Sequence, residues 1–277
     1  MKLVTFNGHR LGLLNGQTLQ DVTDWAFEHC TQRIQDPLIA FIHAQAGGGV
    51  PTGPHVPLSE ASFGPPIQYP GKILAAAANY LKHTQEMNPG VANPIGTRER
   101  GFFLKAPSSI IGPDDAIVLP FADRRTDYEA ELAVIIGRGG KDIPESEALD
   151  HVFGYTCLLD ISLRGKEDRG LRKSFDTFTP IGPWITTADE IADPDALDLL
   201  CTINGEIRQQ DSTGSMVVST RELISWMSSV MTLHPGDIIA TGTPAGVGPL
   251  TPGDRIEVSI QGLGKFGVDV RNKQAAE

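Results

Sequence analysis

Short apolar runs separated by Gly- and Pro-marked breaks dominate the chain, and they predict many strands and few helices. Residues 3–6 and 11–14 flank Asn7-Gly8, a pair suited to a hairpin turn. Residues 23–41 read as one or two helices. Gly47-Gly48-Gly49, Pro51 and Pro54 mark a loop, and Pro65-Pro66 with Pro70-Gly71 marks a boundary. Beyond it, residues 72–78 read as a buried strand and 80–87 as a helix. Residues 87–100 hold Pro89-Gly90 and Pro94, and read as a long irregular loop of the kind that forms lids or binding loops. Strands are predicted over 101–105, 116–119, 129–136 and 155–161, and helices over 145–152 and 220–231. The last part is β-rich, with strands over 237–241, 255–261 and 267–270; the first two follow Pro-Gly-Asp turns. No repeat of fixed period suggests a solenoid or propeller. The pattern is α+β and β-rich.

Composition changes this picture only at its edges. The 277 residues suggest two domains or one large one, and the Pro/Gly boundary divides them into a small unit at 1–69 and a larger domain at 70–277. The formal net charge of −11 disfavours nucleic acid, whose phosphates need a basic face, and disfavours anionic membranes for the same reason. It also leaves carboxylates available for a metal. Cys30, Cys157 and Cys201 are widely spaced, without a Cys-x-x-Cys pair, and read as reduced thiols in a cytoplasmic protein. Residues 1–6 begin like a strand, not like a secretory signal. The longest apolar stretch, 73–78, falls far short of the ~20 residues that cross a bilayer.

Chemistry enters with Asp127-Tyr128-Glu129-Ala130-Glu131. In a strand, alternate side chains share a face, so Asp127, Glu129 and Glu131 point one way. Carboxylates about 7 Å apart near a core call for a cation between them, and hard oxygen ligands suit a divalent one. A solvated strand edge or a helix is the plainer alternative. Asp160, at the end of an apolar strand, is either a turn residue or a third ligand, which would leave open positions for substrate and water. His83 and Glu86 are three apart, so a helix puts them on one face, either as an exposed polar face or as a pair in which the carboxylate orients the imidazole as a general base. Lys105 and Lys173 are each able to hold an anionic group, and each taken alone also reads as a surface lysine. The Gly-rich turn Thr241-Gly242-Thr243-Pro244 offers amides to a carboxylate, but it lacks the spacing of a P-loop.

Taken in order, Asn79-Tyr80 with His83 and Glu86, Phe103-Leu104-Lys105, Asp127 to Leu132, Leu159 to Ser162, Lys173 to Phe178 with Gly182-Pro183-Trp184, and Thr241 to Pro244 form six blocks over residues 70–272. Together they resemble the fumarylacetoacetate hydrolase superfamily. The resemblance implies a mixed β-roll or incomplete barrel as the catalytic domain, with a small N-terminal domain. It implies Mg2+ or Mn2+, with Ca2+ also possible, on Glu129, Glu131 and Asp160. The expected substrate is a small 2-oxo acid that chelates the ion through its carboxylate and oxo oxygens. His83 and Glu86 become the acid/base pair, Lys173 the substrate-side lysine, and Tyr80, Lys105, Arg164, Gly242 and Thr243 substrate contacts. A cytoplasmic homodimer is the implied assembly. Where the family often reads Ser-Ala-Arg-Asp with a Gln two further on, this chain reads Ser162-Leu163-Arg164-Gly165-Lys166-Glu167, and Arg98 and Arg100 in the long loop are further anion contacts by type.

The expected reaction is hydrolysis of a C–C bond in an acylpyruvate-like β-diketo acid through a metal-stabilised enolate. Isomerisation or decarboxylation of a 2-hydroxymuconate-type diacid, in aromatic catabolism, would use the same ion. A non-catalytic metal- or ligand-binding protein of the same fold is the reading from another class; the His83–Glu86 pair speaks against it.

Overall fold

A computed structural model describes residues 1–91 and 96–273, so Pro94 of the predicted loop lies outside the described residues. Strands outnumber helices, and among the described residues twelve strands join one mixed sheet. Its main path runs His55–Pro57, Thr18–Asp21, Arg10–Asn15, Lys2–Phe6, Thr179–Thr187, Val152–Leu159, Ala130–Ile136, Ile238–Ala240, Ile73–Ala76 and Phe102–Lys105. The strands of residues 1–69 therefore continue into the sheet of the larger part, through Leu3 paired with Ile185. A second sheet runs Glu206–Ser212, Asp198–Ile203, Arg255–Ile260, Gly264–Asn272 and Ala116–Leu119. Most pairs are antiparallel; the three parallel ones among the described residues are Ile238–Ala240 with Ile73–Ala76, Gly264–Asn272 with Ala116–Leu119, and Thr179–Thr187 with Ile110–Ile111. The sheets curl over the core without closing into a barrel.

The strand Ala130–Ile136 is buried along its whole length. Its side chains alternate with period two: Ala130, Leu132, Val134 and Ile136 enter one core, and Ala133 and Ile135 enter another. The first core is shared with the second sheet, through Leu199, Ile256, Val258 and Val268. The other lies under the helices Thr23–His29 and Pro37–Ala46, which bury Trp25, Leu38 and Phe41 against Leu11, Ile185 and Ile238. The predicted helical stretch is thus two helices. The second begins where Asp36 accepts the amides of Leu38 and Ile39 and Pro37 fills the first turn.

Other predictions hold with small shifts. Asn7 (φ 44°) and Gly8 (φ 89°) turn the first hairpin. The helix Thr220–Val230 starts on a reciprocal capping box between Ser219 and Glu222. One prediction changes type. Residues Glu145–His151 form a 3-10 helix instead of an α-helix. They start after Pro144 and run directly into the strand Val152–Leu159, so they serve as a tight connector.

Candidate active site

The geometry of the site follows from strand register. Ala130 pairs with Leu159 and Glu131 with Leu158, so the next position in the ladder sets Glu129 across from Asp160. The backbone completes this pairing: the Asp160 amide donates to the Glu129 carbonyl at 2.8 Å. Glu129, Glu131 and Asp160 consequently share the face that continues inward as Ala133, Ile135 and Leu158. One oxygen from each of the three carboxylates lies within 4.8 Å of the others, and all three residues are buried. Asp127 does not join them. It sits in a separate short strand, Thr126–Tyr128, and its carboxylate is taken by Arg125 Nε at 2.7 Å and Arg164 Nε at 2.7 Å.

Cations surround the cluster unevenly. Lys173 Nζ lies 2.6 Å from Glu129 Oε2 and also bonds Asp160. Lys105, only 2% exposed, bonds Asp160 and the Phe178 carbonyl. Arg164 bridges Asp127 and Glu129, reaching the latter at 2.9 Å, and the Ser162 hydroxyl donates to Glu129 at 3.1 Å. Burial alone would raise the Glu129 carboxyl, but Lys173, Arg164 and His83 outweigh it and bring it down to about 2. Glu131 differs. Among the described residues it forms no ion pair, and it accepts the Gly242 amide at 2.8 Å. Burial, then the charges of Asp160 and Glu129, push its carboxyl well above the usual range. A buried carboxylate cluster with one member short of a cation is a fitting seat for a hard divalent ion.

Across the same cavity stands His83, on the helix Leu81–Glu86. Its Nδ1 donates to Glu86 at 3.2 Å, and the Glu86 carboxylate in turn accepts the Gly246 amide at 3.1 Å. The cavity, about 310 Å³, is lined by His83, Glu129, Glu131, Arg164, Lys173 and Thr243, together with Met87, Phe103, Arg100, Arg169 and Arg172. Glu86, Lys105, Asp160 and Gly242 stand behind this lining, each bonded to a group at or next to it. Tyr80, expected at the substrate, does not line the cavity. Its ring is buried at the helix start, where its backbone bridges Met216. Arg98 also turns elsewhere, pairing with Glu222 at 3.3 Å and lying over the Trp226 ring.

Two supports escaped the sequence reading. Gln209, buried in the second sheet, donates to Thr243 Oγ1 at 2.7 Å and to the Pro244 carbonyl at 2.9 Å, and accepts the Ala130 amide at 3.0 Å. It thereby ties the 241–244 turn to the start of the carboxylate strand. Asn79 donates to the carbonyls of Val218 and Thr241, both at 2.8 Å. It also fixes the identity of Gly242: at φ 98°, a Cβ there would lie 2.6 Å from that of Asn79. Nothing local marks Gln209, because its role depends on strands that are distant in sequence.

The family profile described as Fumarylacetoacetate (FAA) hydrolase C-terminal matches residues 72–271. Maleylpyruvate hydrolase of Aquipseudomonas alcaligenes is 38% identical over 98% of this chain and 100% of that protein. The crystal structure of maleylpyruvate hydrolase from Sphingobium sp. SYK-6 in complex with manganese (II) ion and pyruvate superposes with a TM-score of 0.85 at 39% identity, covering 99% of this chain and 100% of that one. That of 2-hydroxyhepta-2,4-diene-1,7-dioate isomerase from Mycobacterium marinum gives 0.78 at 31% identity, covering 99% of each chain. On the sequence match, the shared architecture and the buried carboxylate cluster, the chain belongs to the fumarylacetoacetate hydrolase family of metal-dependent hydrolases and isomerases.

Proposed function

We propose that the protein hydrolyses the C–C bond of an acylpyruvate, using a divalent ion, Mg2+ or Mn2+, held by Glu129, Glu131 and Asp160. The observation that carries the proposal is a cavity in which a histidine with a carboxylate partner faces Glu129 and Glu131, with Asp160 converging on them from behind. The likeness to two maleylpyruvate hydrolases, one in complex with manganese and pyruvate, supports it.

When bound, the ion supplies a Lewis acid that draws in the 2-oxo acid end of the substrate and offsets the negative charge developing there. The chain does the rest. Glu86 accepts the Nδ1 proton of His83 and so fixes the tautomer that leaves Nε2 free as a base. Nε2 takes a proton from water as the water oxygen bonds to the acyl carbonyl carbon. The bond from that carbon to C3 of the pyruvate unit then breaks, and its electron pair stays with the pyruvate fragment. The proton held by His83 returns to C3, giving pyruvate and a carboxylic acid. Lys173, whose ammonium is stabilised against the opposing effect of burial by Asp160, Glu129 and Glu131, keeps a positive charge beside the reacting oxygens. Thr243 and the Gly242 turn border the carboxylate end, with Arg164 and Lys105 holding the acidic groups in place.

Incubating the protein with acylpyruvates and Mg2+ or Mn2+, and following loss of enol absorbance together with pyruvate release, tests the reading. Metal-dependent release of equimolar pyruvate is expected. Absorbance change without pyruvate would favour isomerisation instead, the reading to which the 31% identical dioate isomerase lends support.

We further propose a cytoplasmic homodimer with residues 1–69 as its N-terminal unit. The free thiols of Cys30, Cys157 and Cys201 suit a reducing compartment. The exposed side chains of Leu104, Phe121 and Leu171 suit a covered face.

A further inference from the structure

The His83–Glu86 pair is itself held, through one glycine, by a residue next to the carboxylate strand. The Glu86 side chain is 34% exposed, so water competes for its carboxylate. Against that competition the Gly246 amide donates to both of its oxygens, to Oε1 at 3.1 Å and to Oε2 at 3.2 Å, while His83 Nδ1 donates to Oε2 at 3.2 Å. Gly246 is fixed from two other directions. Its φ of 102° and the Arg208 carbonyl, which a Cβ there would meet at 2.0 Å, leave room for glycine alone. Its own carbonyl accepts the Tyr128 hydroxyl at 3.0 Å.

Tyr128 ends the short strand Thr126–Tyr128, where it pairs with Gly248, two residues beyond Gly246. Its ring is buried in the core shared with the second sheet, and it does not line the cavity; Glu129, the next residue, does. A buried aromatic ring with two torsions puts its hydroxyl at a fixed point. The bonds therefore form one series. Tyr128 donates to the Gly246 carbonyl, the Gly246 amide donates to Glu86, and His83 donates to the same carboxylate. The hydroxyl brings no charge to the cavity. What it sets is the direction in which the Gly246 amide points.

We propose that Tyr128 is a positioning residue for water activation: through Gly246 it holds Glu86 where that carboxylate orients His83. The proposal rests on the reading of His83 and Glu86 as the pair that activates water, and it adds the residue that keeps the pair in place. It also joins the two halves of the site, because the residue that steadies the base precedes Glu129 in the chain.

Tyr128→Phe keeps the ring and removes only the hydroxyl. With Mn2+ and an acylpyruvate, kcat should fall about tenfold, the size of one hydrogen bond, while KM and Mn2+ affinity stay at their wild-type values. In a Glu86→Ala background the same substitution should change nothing further, because no carboxylate is left to hold. A wild-type kcat in Tyr128→Phe would overturn the proposal, as would an equal loss in both backgrounds, which is what a purely structural role in packing the loop predicts. Should Tyr128→Phe fail to fold, Gly248→Ala takes its place in the cycle, since the added Cβ would lie 3.1 Å from the Tyr128 hydroxyl and crowd it away from Gly246. Failure of the wild type to release pyruvate from acylpyruvates would remove the hydrolase reading and leave the positioning role to be judged by the imidazole itself. Nitrogen-15 spectra of the Mg2+-loaded protein, with the His83 signals assigned by their loss in His83→Gln, report its tautomer. A single tautomer protonated at Nδ1 in the wild type, and a mixture in Tyr128→Phe, would support the proposal. The same tautomer in both would overturn it.

Discussion

The amide of Asp160 donates to the carbonyl of Glu129 at 2.8 Å, so two of the three converging carboxylates belong to residues joined across the sheet by their own backbone. The spacing of the acidic groups is set by the ladder and not by flexible side chains alone. A seat built this way is present before any ion arrives, which lowers the ordering needed on binding.

Glu129→Gln removes one of the oxygen donors and half of the ion pair with Lys173. Mn2+ titration by calorimetry should show affinity reduced by at least about tenfold, with hydrolysis falling in parallel. Unaltered Mn2+ affinity together with full activity would take Glu129 out of the ligand set.

Glu86→Gln keeps the carboxylate cluster and weakens the hold on His83. Mn2+ affinity should stay near the wild-type value, whereas kcat should fall by about 100-fold, the usual size of a general-base contribution. The check is single-turnover kinetics at saturating Mn2+; a wild-type rate would remove the pair from the water-activation step.

Gln209→Ala deletes a side chain that satisfies Ala130, Thr243 and Pro244 at once. A buried amide left without a partner costs about 1–3 kcal/mol, so thermal unfolding should shift down by several degrees. The 241–244 turn also loses its tie to the carboxylate strand, so KM should rise in Gln209→Ala and stay raised in Gln209→Glu, whose carboxylate has no N–H for the Pro244 carbonyl. An unchanged melting temperature would mean that water or a shifted backbone replaces these bonds.

Acid sensitivity has a structural source in the N-terminal strands. Burial would raise the Asp21 carboxyl, but Arg10 and Thr23 outweigh burial and hold it below the usual value. A carboxyl depressed in the folded state contributes stability above its unfolded pKa of about 3.9 and loses that contribution as pH falls through the folded value. Denaturant melts of wild type and Asp21→Asn between neutral pH and pH 3 should therefore converge at the acid end. Curves that stay parallel would contradict the assignment.

Much of this molecule was legible in its sequence because the relevant signals are local. The Asn7-Gly8 turn, the Glu129/Glu131 alternation and the His83/Glu86 spacing each follow from a single element. Asp160 needed the register of two strands, and the resemblance supplied what spacing alone left open. The 3-10 connector at Glu145–His151 was hidden because its residues suit an α-helix and only its seat between Pro144 and a strand decides the type. Tyr80 and Arg98 were misplaced because residue type suggests a role but cannot report which way the chain turns. Gln209 matters through contacts between distant segments, to which no sequence window gives access.

The central claim is that the Glu129–Glu131–Asp160 cluster, loaded with a divalent ion, makes the cavity a hydrolase site. Chelator-stripped protein, assayed for pyruvate release from an acylpyruvate while Mn2+ is titrated in, tests it most directly. The account predicts no release without metal and activity that saturates at one ion per chain. Full release from the stripped protein, or none with one Mn2+ bound per chain, would contradict it.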